Sequence, residues 1–330
     1  MNKQRILITG ATGFLGSYIV QELIEHGYAV RALRRTPKDI PWIPPTTQSQ
    51  IEWVEGDILD VVSLEDAMQE VAAVIHSAAV VSFAPAERKR MYQVNVEGTN
   101  NVVNMALETG VRRLVYISSI AALGRTVTES WVNEAHAWED NPVQTHYARS
   151  KFKAELHVWR GMAEGLNGLI LNPATILGYG DWSTGSCSLF KQVYTGFPWY
   201  TEGINGFVDV RDVARATRLA LASDLTEQRF VISAENRTFR DLQQTIADGF
   251  GVAGPTKKAT PFLLALAWRM AALKGWITGK PELLSKESAR VGVSRTHFDN
   301  QKFRTAFPEF HYRSLNDTIQ EACTRYRPAQ

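Results

Sequence analysis

Ile6-Leu7-Ile8-Thr9-Gly10-Ala11-Thr12-Gly13-Phe14-Leu15-Gly16 is the stretch on which the fold turns. A short apolar run enters a turn with glycines at 10, 13 and 16. Residues 14–26 then carry Phe14, Leu15, Tyr18, Ile19, Leu23 and Ile24 at helical spacing, and Gly27 supplies the stop. Each glycine has a physical use here. Gly10 permits the tight turn, Gly13 lets a pyrophosphate reach the amides at the positive helix end, and Gly16 allows close helix-to-strand packing. In this strand-turn-helix setting the triplet reads as a dinucleotide site, against the plainer reading of a structural turn.

Working outward, the first half alternates apolar runs with amphipathic segments. Strands are expected at 29–33, 51–55, 73–76, 114–118 and 169–172, with helices near 63–70, 87–109 and 146–164. Right-handed crossovers make this an α/β fold, a doubly wound parallel sheet of Rossmann type, with a smaller, mostly helical C-terminal domain. Residues 173–206 are rich in Gly and aromatics and weakly periodic, as a pocket wall would be. A strand at 207–210 and a helix at 212–223 then return the chain to the sheet. The expected division is therefore 1–172 plus about 207–233 for the cofactor domain, and about 173–206 plus 234–330 for the substrate domain.

Composition narrows the class. The chain has 330 residues, 45% of them hydrophobic, and a formal charge of +2, which offers no broad attraction to nucleic acid or anionic lipid. Cys187 and Cys323 stand far apart and the histidines lack metal spacing, so no disulfide framework and no metal are expected. The start shows no signal-peptide pattern, which makes a cytoplasmic location the default. Residues 262–276 are apolar but too short to span a bilayer and carry Arg269 and Lys274, so they read as an amphipathic helix packed on its own domain, with a membrane-surface helix as the alternative.

Where a carboxylate would meet an adenosine ribose, strand two ends in Arg34-Arg35. Two guanidinium groups suit a 2′-phosphate, so NADP(H) is the preferred cofactor, with NAD(H) left open. Tyr147 and Lys151 stand four apart on one helix face, where an ammonium would favour phenolate and make the tyrosine a usable acid or base. The fifth strand ends in Ser118-Ser119, opening onto the same crevice as the glycine turn; Ser119 is the better candidate to hold a substrate oxygen.

These residues, with Gly56-Asp57-Ile58, His76-Ser77-Ala78-Ala79, Asn95-Val96-Glu97-Gly98-Thr99 and Asn172-Pro173, resemble the extended short-chain dehydrogenase/reductases, the NAD-dependent epimerase/dehydratase family. Val30-Arg31-Ala32-Leu33-Arg34-Arg35 and Phe207-Val208-Asp209-Val210-Arg211-Asp212 are most similar to the branch of dihydroflavonol 4-reductase and 3β-hydroxysteroid dehydrogenase. The resemblance implies a carbonyl/alcohol oxidoreductase with Ser119, Tyr147 and Lys151 as the catalytic set. It implies cofactor contacts from Gly10, Thr12, Gly13, Phe14, Leu15 and Gly16, and from Asp57 and Ile58 against the adenine. Ala78, Ala79, Val80, Ser118, Pro173, Ala174 and Ile176 would line the cofactor, Lys151 would also hold the ribose, and Asn95 would support the region, unless its role and that of Asp57 are purely structural.

Val81, Phe83, Trp182, Phe190, Trp199, Tyr200 and Phe207 are expected to make an apolar pocket for a flat or hydrophobic small-molecule substrate, although these aromatics could equally be core. A nucleotide-sugar epimerase with tightly bound NAD is the main rival. Its family members carry an Arg-Asp-aromatic run where this chain has Asn205-Gly206-Phe207. A dehydratase would place Asp-Glu where Ile120-Ala121 stands. A non-catalytic NADP(H) sensor is a further alternative, and the family often forms homodimers.

Overall fold

The computed structural model describes residues 4–125, 130–278 and 285–327, with side chains of 272–278 left aside. Five strands, β1 (Arg5–Thr9), β2 (Ala29–Arg34), β3 (Ile51–Glu55), β4 (Ala73–His76) and β5 (Arg113–Ile117), join Gly168–Pro173 and Gln228–Ile232 in one seven-stranded sheet. Every pairing in it is parallel, and the order runs β3, β2, β1, β4, β5, Gly168–Pro173, Gln228–Ile232. The order reverses between β1 and β4, so their carboxyl ends frame the crevice where such sheets bind ligands.

Alternation along β1 builds the two layers. Ile6 and Ile8 join one buried cluster with Tyr18, Ile19 and Leu23 of helix α1 (Phe14–Glu25) and with Val213, Ala216 and Ala220 of helix Val210–Ala222. Leu7 faces the opposite cluster, with Leu64, Val102, Val103, Ala154 and Val158 from the helices on the other side. Since both faces are covered, β1 is apolar without interruption from Ile6 to Ile8.

Two expectations need correction. The strand foreseen at 207–210 spans Ile204–Asp209 and lies outside the main sheet. It is the centre of a three-stranded sheet with Thr175–Leu177 and Glu235–Thr238. The return to the main sheet is made by helix Val210–Ala222, capped by the Asp209 carboxylate accepting the Arg211 N–H, and by strand Gln228–Ile232. The single helix foreseen over 87–109 is broken into Arg88–Tyr92, a π turn at Gln93–Glu97, and Gly98–Glu108. A wide turn of this kind re-aims side chains within a helix, and Asn95 lies inside it.

The helix foreseen near 262–276 spans Pro261–Thr278 and packs on Lys286–Val293, but part of its apolar surface stays exposed. Phe262, Leu266 and Met270 are 78%, 53% and 60% exposed, while Leu264, Ala265 and Trp268 are half-buried. No helix among the described residues is long and apolar enough to cross a membrane.

Candidate active site

β1 runs into Gly10, whose φ of +74° suits glycine. A Cβ there would stand 2.7 Å from the Ala78 nitrogen, so the turns after β1 and β4 touch. A Cβ on Gly16 would strike the Gly10 carbonyl, and the Gly13 N–H donates to that same carbonyl at 2.9 Å. Gly13 is also the N-cap of α1 and provides no side-chain acceptor, which leaves the helix amides available to an anion. Thr12 and Leu15 are half-buried beside it, and the Phe14 ring packs edge-on to Tyr18 at 5.8 Å. These features fit a dinucleotide pyrophosphate.

At the end of β2 the Arg34 guanidinium lies 4.8 Å over the Trp53 ring, and its buried Nε has no hydrogen-bond partner among the described residues. Arg35 is exposed. Asp57 turns its carboxylate onto the Leu59 N–H at 3.0 Å, closing its own turn, and Ile58 is buried against Gly98.

Behind the turns runs a buried hydrogen-bond chain. The Thr99 hydroxyl donates to the Asn95 carbonyl at 2.6 Å, so it accepts from His76 Nε2 at 2.9 Å. His76 Nδ1 in turn accepts from Thr9 Oγ1 at 2.6 Å. Burial, with the Lys151 charge assisting, holds His76 neutral by lowering its pKa to about 3. Asn95 grips both backbone groups of Val80: its Oδ1 accepts the Val80 N–H at 2.8 Å and its Nδ2 donates to the Val80 carbonyl at 2.9 Å. The same Nδ2 donates to Ser150 Oγ at 2.9 Å, and Ser150 donates to the Tyr147 carbonyl at 2.8 Å. Asn95 thus fastens the loop after β4, with Ala79, Val80, the exposed Val81 and the half-buried Phe83, to the helix that carries Tyr147.

That helix, His146–Ala163, begins at Thr145, whose side chain accepts the Ala148 N–H. Tyr147 is half-buried, with Phe83 edge-on at 6.2 Å. Burial pushes the Tyr147 phenol up, and the Ser119 hydroxyl beside it pulls the other way. Ser119 caps the short turn Ile120–Leu123 by accepting the Ala121 N–H at 3.1 Å, which leaves its own proton to donate. Lys151 is buried and its Nζ donates to Tyr116 Oη at 2.7 Å and to the Ile117 carbonyl at 2.9 Å. Burial lowers its pKa to about 7. The expected depression of the phenol by the lysine is therefore not what this arrangement produces: the ammonium is engaged by Tyr116, and desolvation governs Tyr147. Ser118 is buried, its N–H spent on the Leu171 carbonyl at 2.7 Å, which leaves Ser119 facing the crevice.

The aromatic wall is the largest correction. Phe190 and Phe207 have no exposed surface, so neither can meet a substrate. Trp182 stacks on Tyr326 at 5.2 Å, with Phe190 against the same ring at 5.3 Å. Trp199 and Tyr200 form a small ladder with Lys257–Lys258, and Arg240 covers Tyr200. Trp182 and Phe190 thus fasten the segment after 173 to the C-terminal helix Leu315–Tyr326 through Tyr326, while Phe207 packs edge-on to Phe239. Pro173 and Ala174 are buried, the Ala174 N–H donating to Ile232, and the Ile176 carbonyl accepts from Ser186.

Some residues of the site had not been foreseen. Tyr116 holds the lysine. Glu155, fully buried, takes Asn172 Nδ2 at 2.5 Å and Arg229 Nη1 at 3.3 Å, while Asn172 Nδ2 also donates to the Ser119 carbonyl at 3.0 Å. Its position one further turn past Tyr147 and Lys151 was a legible signal. Glu287, which accepts the His146 N–H at 2.9 Å, had none.

A model of the NAD dependent epimerase/dehydratase family matches residues 6–233. The sequence is 32% identical over 306 residues to a Synechocystis sp. protein bearing the name of dihydroflavonol 4-reductase, covering 89% of this chain and 87% of that one. It is 30% identical over 262 residues to sterol demethylase protein B of Methylococcus capsulatus, covering 78% of each. The crystal structure of gox2253 superposes with a TM-score of 0.81 at 26% identity, over 98% of this chain and 97% of that one.

Proposed function

The chain belongs to the NAD dependent epimerase/dehydratase family, and within it we propose an NADP(H)-dependent oxidoreductase that interconverts a carbonyl and an alcohol on a flat or hydrophobic small molecule. What supports this reading is Ser119 beside Tyr147, with the buried Lys151 one helical turn further on and bonded to the Ile117 carbonyl at the end of β5, together with the uncapped amides of α1. The nicotinamide, when bound, supplies or accepts the hydride. In reduction Tyr147 gives its phenolic proton to the carbonyl oxygen, Ser119 donates a hydrogen bond to that oxygen, and Phe83 presents an apolar edge. Lys151 and Tyr116 keep the floor of the site polar and ordered.

Arg34 and Arg35 favour the phosphorylated dinucleotide, because two guanidinium groups at the end of β2 offer charge-assisted donors to a 2′-phosphate. The main sheet takes the cofactor, and residues 173–206 and 234–330 form the substrate side. Relatives named for a reductase and for sterol demethylation are in keeping with an apolar substrate.

The test is a panel of ketones, aldehydes, flavanonols, steroids and nucleotide sugars with NADPH, followed at the nicotinamide absorbance. Net cofactor turnover on an apolar carbonyl is the expected result. Tyr147→Phe should keep cofactor affinity and lose roughly 10²- to 10⁴-fold in turnover. An isomerised sugar with unchanged cofactor would make the protein an epimerase, and a Tyr147→Phe variant at wild-type rate would end the acid/base assignment.

A further inference from the structure

We propose that the helix Pro261–Thr278 docks this protein onto an anionic lipid surface. Phe262, Leu266 and Met270 recur every four residues and so form one stripe, with Leu263, 38% exposed, alongside. Leaving several large apolar side chains in water along one line is unlike scattered surface leucines and marks an interaction face. A further exposed aromatic lies near the segment leading into the helix. Phe197 is 45% exposed, and its neighbour Pro198 accepts the Thr256 and Lys257 N–H groups at 3.1 and 2.8 Å, on the strand that precedes the helix.

The charge around this face selects the partner. Between Asp248 and Glu282 the sequence has no acidic residue and five basic ones, Lys257, Lys258, Arg269, Lys274 and Lys280. Lys257, Lys258 and Arg269 are exposed, Lys258 with the Glu202 carboxylate at 3.8 Å and Lys257 at 5.7 Å from the Trp199 ring, and the Lys286 ammonium stands 5.9 Å from the Trp268 ring of the helix. An apolar face bordered by cations suits acyl chains below and anionic headgroups around. A second copy of this chain suits it less, because a two-fold contact would set the same basic run against itself.

The helix packs on Lys286–Val293, whose Glu287 accepts the N–H of the residue just before Tyr147. A membrane contact would therefore sit over the elements that hold the acid/base residue, where a bilayer-dissolved substrate would enter. That consequence rests on the carbonyl reading; the docking does not.

The experiment is flotation of the purified full chain with vesicles of phosphatidylcholine alone or mixed with phosphatidylglycerol, with light scattering in parallel. The wild type should float with the mixed vesicles only, and high salt should release it. Lys257→Gln with Lys258→Gln should weaken partitioning about 25-fold, at about fivefold per lysine. Phe262→Ser with Leu266→Ser should weaken it by at least about tenfold, while thermal unfolding and NADPH binding stay unchanged because these side chains are exposed. No flotation with either vesicle overturns the proposal, as does flotation that both variants retain. A wild-type dimer that Leu266→Ser converts to monomer, without vesicle binding, also overturns it and reassigns the face to self-association.

Discussion

Asn95→Ala isolates what the π turn contributes. The substitution removes three hydrogen bonds, at 2.8 and 2.9 Å to the two backbone groups of Val80 and at 2.9 Å to Ser150. At about 1 kcal/mol net for each, with some added cost for polar groups left unpaired, the loss should be about 3 to 4 kcal/mol. Asn101→Ala, on the same run of helix, removes one side-chain bond, to the Ile58 carbonyl at 3.1 Å, and should cost about 1 kcal/mol. Urea unfolding followed by circular dichroism, with equal m-values, measures both. The loop that Asn95 holds also carries Phe83, so the Asn95 variant should raise KM for cofactor and substrate while Asn101→Ala leaves them nearly unchanged. If the two variants are equally stable, or Asn95→Ala lies within about 0.5 kcal/mol of wild type, the clamp is not a structural element of this site.

Acid should unfold the protein partly through His76. Its folded pKa of about 3 lies below the ordinary value, so the unfolded chain takes up a proton that the native state refuses as pH falls from 6.5. The lost stability reaches about 4 kcal/mol by pH 3.5, and a His76→Gln variant should lack that slope in acid titrations followed by fluorescence. Arg34→Ala with Arg35→Ala should raise KM for NADPH by about 10- to 100-fold and leave KM for NADH in place; equal effects on both cofactors would remove the 2′-phosphate from the proposal.

The amino-acid sequence by itself determined the parts whose physics is local. The glycine turn is legible because only glycine tolerates φ of +74° at Gly10 and the approach of Ala78. Tyr147 and Lys151 are legible because four residues make one helical turn, and the sheet because apolar runs alternate with helices. Tertiary structure alone decided the features that depend on distant partners. Tyr116 binds Lys151 across 35 residues, Arg229 reaches Glu155 across 74, and Glu287 reaches His146 across 141. Nothing in local spacing encodes those pairs. The same holds for the aromatics after Pro173 and for the helix Pro261–Thr278: composition announced both as apolar, but burial is a property of what packs against a side chain. Phe190 found Tyr326 and became core, whereas Phe262 is 78% exposed among the described residues.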